Sequence, residues 1–195
     1  MKLKWVALFS LGMLAIQANA EQQMDASKTP GNSASAQADE NNANKERVLK
    51  GGKMSPRQRA EVAKSELAAS NTQTGDGFLA ANKVKKGVVS LPSGVQYKIL
   101  SAGKGNKPKE SSTIACRYQG KLVDGTGFDK ADEKKPIMLK VAGLLPGLKE
   151  AVKLMPAGSK WEIVIPPQLA YGAQGYRNIG PNAILIYNME IVSVK

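Results

Sequence analysis

Histidine is absent from this chain, and cysteine occurs once, in 195 residues. The first absence removes Ser-His and Cys-His nucleophile pairs and every imidazole metal ligand. The second removes an internal disulfide and any Cys-x-x-Cys site. The lone thiol, Cys116, falls in an alternating run from Ile114 to Tyr118 and reads as a small buried hydrophobe. Acidic residues are also in short supply: 16 against 28 Lys and Arg, a net charge of +12. The lysines are scattered and no aromatics interleave them, so nucleic acid is not an expected partner. A solvated face, or attraction to an anionic cell envelope, accounts for the excess.

Residues 1–20 have the layout of a secretory signal peptide. Lys2 and Lys4 precede an apolar stretch, Trp5 to Ile16, which is short for a membrane span, and Ala18-Asn19-Ala20 matches an A-x-A cleavage site. Export makes the periplasm the expected location. Residues 21–54 are rich in Asn, Ala, Gln, Ser and Lys, with almost nothing to bury, and read as a disordered polar segment. A helical linker is expected over residues 55–87. Ser55 suits the N-cap, Pro56 the first helical position, and Gln58 the return bond of a capping box. Its apolar stripe is thin: Ala60, Ala63, Leu67. Gly75 and Gly77 each cost about 1 kcal/mol in a helix interior. The pattern therefore allows one long kinked helix or two short ones, ending near Gly87.

From Val88 onward the period becomes two. Val95 to Leu100 alternates. Ser112 to Gly120 places Ile114, Cys116 and Tyr118 on one face. Asp124-Gly125-Thr126-Gly127 is a turn, and Asp129 to Lys135 reads as a charged loop. Ile137, Leu139 and Val141 share one side of the next strand. In the last strand Leu185, Tyr187, Met189 and Ile191 do the same. Between these lies the most informative stretch, Leu144 to Gly172. An apolar turn, Leu144-Leu145-Pro146-Gly147, leads into a short amphipathic segment ending at Met155. After the turn Pro156 to Ser159, a strand from Trp161 to Ile165 stops at Pro166-Pro167, which cannot extend a ladder. Ala170-Tyr171-Gly172 closes the block. Short strands with a single short helix imply an α+β fold.

The order L-L-P-G-L, turn, strand ending I-P-P-x-L, then A-Y-G resembles the signature of FKBP-type peptidyl-prolyl cis-trans isomerases. The segment Phe78 to Lys83, followed by Gly87 and Leu91-Pro92-Ser93-Gly94-Val95-Gln96-Tyr97, resembles the junction in exported Mip-like and FkpA-like bacterial members. The resemblance implies a twisted antiparallel β-sheet wrapped around one short α-helix, preceded by a long N-terminal helix. The isomerase domain would span 88–195, with its core at about 111–195. It also implies catalysis of X-Pro isomerisation without cofactor or metal, on unfolded or exported proline-containing polypeptides. A weakly catalytic or non-catalytic peptide-binding chaperone is the alternative on the same fold. The residues at 55–87 would be either a spacer on a monomer or the helix of a homodimer.

By position, the resemblance assigns catalytic roles to Asp129 and Tyr171. It lines the pocket with Tyr118, Phe128, Ile137, Leu144, Leu145, Leu148, Ile179 and Tyr187. The sequence departs from the family at two of these: Leu148 stands where a floor Trp is usual, and Ile137 replaces an aromatic. Macrolide ligands of the family would bind weakly for that reason. Trp161 lies beyond the turn and reads as core.

Overall fold

Ser55 starts the first element as its side chain implies. Its Oγ accepts from Gln58 N at 3.3 Å, and Ser55 N donates to Gln58 Oε1 at 2.9 Å. From this capping box, helix α1 (Pro56–Lys83) runs 28 residues without a break. The computed structural model describes residues 54–132 and 134–195, all within one compact unit. The predicted signal peptide and nearly all of the polar segment lie outside the described residues. Of the two layouts that the pattern allowed, α1 is the single long helix. It ends at Lys83 rather than Gly87, which instead turns the chain toward the sheet with φ +83°. Gly75 is tolerated because it is where the helix meets the body of the protein. A Cβ there would lie 3.0 Å from Ile184 Cδ1.

The remaining chain forms seven strands: β1 (Val88–Ser90), β2 (Gln96–Ser101), β3 (Thr113–Lys121), β4 (Gly127–Lys130), β5 (Ile137–Lys140), β6 (Lys160–Ile165) and β7 (Leu185–Val194). They make one antiparallel sheet in the order β1-β2-β6-β7-β3-β4. β5 shares the outer edge of β3 with β4. It pairs with Thr113 to Cys116, whereas β4 pairs with Gln119 to Lys121. Helix α2 (Pro146–Val152) packs on the inner face and buries Leu148, Ala151 and Val152. Period-two alternation supplies the rest of that core: Ile114 and Cys116 from β3, Trp161, Ile163 and Ile165 from β6, and Leu185, Met189 and Ile191 from β7. Trp161 is core, as its strand position predicts, and its ring stacks on Tyr97 at 4.3 Å.

The outer face of the sheet was not legible in the same way. Val164, Ile184 and Ile186 are buried there under Phe78 and Leu79 of α1, with Val123 beside them. Asn82, also buried, donates to Gln96 Oε1 at 2.9 Å, and Gln96 Nε2 donates to Leu79 O at 3.0 Å. Each of these amides satisfies a group that burial would otherwise leave unpaired. The C-terminal half of α1 is thus a second layer, although most of the helix surface is exposed.

Candidate active site

The site grows from one missing side chain. In β3, Gly120 faces Asp129 of β4 on one side and Tyr187 of β7 on the other. A Cβ at Gly120 would come within 2.5 Å of Phe128 Cζ, so the ring of Phe128 can lie across β3 only because this residue is glycine. Phe128 meets Tyr187 edge-on, with centroids 5.4 Å apart and planes at 85°. Tyr118, two residues before Gly120, approaches the same Tyr187 at 5.9 Å and 61°. Such edge-to-face pairs suit the quadrupoles of the rings.

Tyr118 Oη donates to Asp129 Oδ2 at 2.8 Å, which fixes the carboxylate at the rim of the aromatic group. The sequence assigned Asp129 to a charged loop. It lies instead in β4, because the pairing of β3 with β4 continues through Lys130. Burial raises the Tyr118 phenol well above its usual range, and the hydrogen bond to Asp129 with its negative charge adds to the effect. Tyr187 is raised by burial and then by Tyr171 and Asp129. Tyr171 is raised by burial, then by Tyr176 and Asp129, and partly lowered by Arg177. All three phenols therefore remain neutral donors at neutral pH.

The other expected residues come from three places. Ile137 opens β5 opposite Cys116. Leu144 and Leu145 lead into α2, where Leu145 is the N-cap residue, and Leu148 sits in that helix with 4% of its surface exposed. Tyr171 lies between two short 3₁₀ turns, Pro167–Leu169 and Gly172–Gln174, and stacks on Tyr176 at 4.9 Å. Ile179 is buried, held by reciprocal backbone bonds with Tyr176 of 2.8 and 2.9 Å. Tyr118, Phe128, Ile137, Leu144, Leu145, Leu148, Tyr171, Ile179 and Tyr187 all belong to one apolar cluster, with Asp129 exposed beside it. Sequence reasoning missed Gly120 and Tyr176. Gly120 carried a signal, since it ends the alternating run Ser112 to Gly120 two residues after Tyr118. Tyr176 carried none, because its neighbour Tyr171 is five residues away on an irregular loop.

Among the described residues, no group of three or more Cys, Asp or Glu could hold a metal ion. Residues 104–192 match the profile of the FKBP-type peptidyl-prolyl cis-trans isomerases, and residues 10–99 match that of the domain amino-terminal to them. The FKBP-type 22 kDa peptidyl-prolyl cis-trans isomerase of Escherichia coli K12 is 36% identical over 139 residues, 70% of this chain and 68% of that one. This chain belongs to the FKBP-type isomerase family. Outer membrane protein MIP of Legionella longbeachae is 49% identical to this FKBP over 133 residues, 67% of this chain and 57% of the relative. Among solved structures, FkpA from Escherichia coli superposes with a TM-score of 0.68 at 30% identity, covering 81% of this chain and 82% of that one. This FKBP spans about half the length of several curated relatives, from 48% to 57%.

Proposed function

We propose that this FKBP accelerates X-Pro isomerisation in proteins exported with it to the periplasm. The observation that carries the reading is the apolar, aromatic-lined cluster with a single fixed carboxylate at its rim. Prolyl isomerisation faces a barrier of about 18–20 kcal/mol, the loss of C–N double-bond character. The planar amide is more polar than the twisted one, so a dry apolar wall favours the twisted state. Phe128, Tyr187, Leu148 and Ile179 would form that wall around the proline ring. The Tyr171 hydroxyl would donate to a substrate carbonyl. Asp129, held by Tyr118, would favour rotation that carries the carbonyl oxygen away from its charge. Proline-limited refolding of a reporter protein tests this directly. The wild type should accelerate it, and Asp129→Leu and Tyr171→Phe should each slow catalysis while nearly preserving the melting curve. Activity unchanged by both substitutions would remove these residues from the mechanism.

Leu148 and Ile137 favour a second reading, a peptide-binding chaperone with little catalysis, since neither offers the flat ring usual at its position. Suppressed aggregation without acceleration in the same assay would select it. The N-terminal match and the length of α1 support homodimerisation through that end of the chain. Macrolide ligands are expected to bind weakly over Leu148.

A further inference from the structure

The loop between β6 and β7 carries Tyr171 and Ile179, yet much of what holds it comes from α1. Asn71 Nδ2 donates to Pro181 O at 2.7 Å. Asn182 Nδ2 donates to Thr72 Oγ1 at 3.1 Å, and Lys64 Nζ donates to Gln174 Oε1 at 3.3 Å. Leu67 and Asn71 also lie directly against Gly180. Lys64, Leu67, Asn71 and Gly75 recur every three or four residues, so they form one stripe along α1. The loop needs such support. Arg177 and Asn182 are non-glycine residues at φ +52° and +53°, a conformation that persists when its surroundings determine it. Within the loop the chain closes on itself through short-range bonds: Gly175 N to Tyr171 O, the narrow bridge between Tyr176 and Ile179, Asn182 N to Gly172 O, and the turn bonds of Leu169 and Ala170.

We propose that α1 positions the substrate loop, and that Asn71 is its positioning residue: through Pro181 it holds Ile179 against the aromatic cluster. Of the three polar contacts, this one is the shortest and the only one that is partly buried. It is made to a backbone carbonyl two residues from Ile179. Asn71 touches no substrate; it acts through the loop. The inference rests on the isomerase reading for its kinetic consequence, but not for its structural one.

The test uses the full chain with Asn71→Leu, Asn71→Gln and a chromophoric X-Pro peptide. Asn71→Leu should raise KM by about two- to tenfold, the size of one ordinary hydrogen bond, with kcat within about twofold of wild type. Asn71→Gln, which keeps an amide donor, should bring KM back toward wild type. Amide hydrogen exchange at Tyr176 and Ile179 should quicken in Asn71→Leu while exchange in β3 stays slow. If exchange at those two amides matches wild type, or if it quickens and KM does not move, the inference is overturned. A general loss of protection with a lowered melting temperature would show a structural role only, and would also overturn it. If the wild type proves to have no isomerase activity, the isomerase reading fails separately. Loop exchange, and Ile179 methyl shifts on titration with the same peptide, then decide the inference.

Discussion

At the residue scale, Leu148 tests the site most sharply. It sits in α2 with 4% of its surface exposed, inside the cluster that holds Tyr187 and Ile179. Leucine is smaller than tryptophan and has no N–H, so a proline ring resting on it makes fewer dispersion contacts. Each contact is worth only about 0.1–0.2 kcal/mol, but a ring makes many. Leu148→Trp is therefore expected to tighten binding of a macrolide or a proline peptide more than it raises the isomerisation rate, since dryness serves the twisted state whichever side chain supplies it. The added volume carries an overpacking cost of about 1–3 kcal/mol because the position is already enclosed. Calorimetric affinity and the melting temperature have to be followed on the same sample. A well-folded variant with unchanged affinity would falsify the placement of Leu148 at the pocket floor.

At the scale of elements, α1 decides how far the sheet can stand without its second layer. The inner core is complete without it, since α2 and the inward residues of β3, β6 and β7 enclose one another. The outer face is not: Val164, Ile184 and Ile186 would lose Phe78 and Leu79, and Gln96 would lose both of its partners. A fully buried aliphatic side chain is worth roughly 1.5–3 kcal/mol, and these three would be partly uncovered. A fragment from Ser90 to Lys195 is expected to unfold cooperatively but at a lower temperature than the full chain. It should also bind a hydrophobic dye at the uncovered patch. A fragment with no thermal transition would mean that α1 belongs to the core.

At the scale of the molecule, stability should fall on the alkaline side. Burial pushes the Cys116 thiol from 9.0 to about 11, and it pushes Tyr118 and Tyr187 well above 10.0. In each case the folded state holds its proton more tightly than the unfolded state. Below pH 9 both states are protonated and stability is complete. Above pH 9 the unfolded thiol ionises first, and above 10 the unfolded phenols follow, so stability is lost as pH rises. Melting temperatures measured from pH 8 to 11 should show a decline beginning near 9. Cys116→Ala should flatten its first part, and Tyr118→Phe or Tyr187→Phe the later part. A curve that does not change in Cys116→Ala would show that the thiol is not protected by burial.

The sequence by itself determined whatever depends on local period and capping. The capping box at Ser55 and Gln58, the inward faces of β3 and β7, the buried Cys116 and the core position of Trp161 follow from spacing and side-chain type. The residues proposed for the site were chosen from the resemblance, and the apolar ones among them do gather in one cluster. Tertiary structure alone decided the contacts between parts distant in the chain. The close approach of α1 at Gly75 is to Ile184, more than 100 residues later. Asp129 became a strand residue through its pairing with Gly120. The hold of Asn71 on Pro181 spans 110 residues. A hydrophobic period records which way a residue points within its own element. What meets it there depends on how the sheet and helix close on each other.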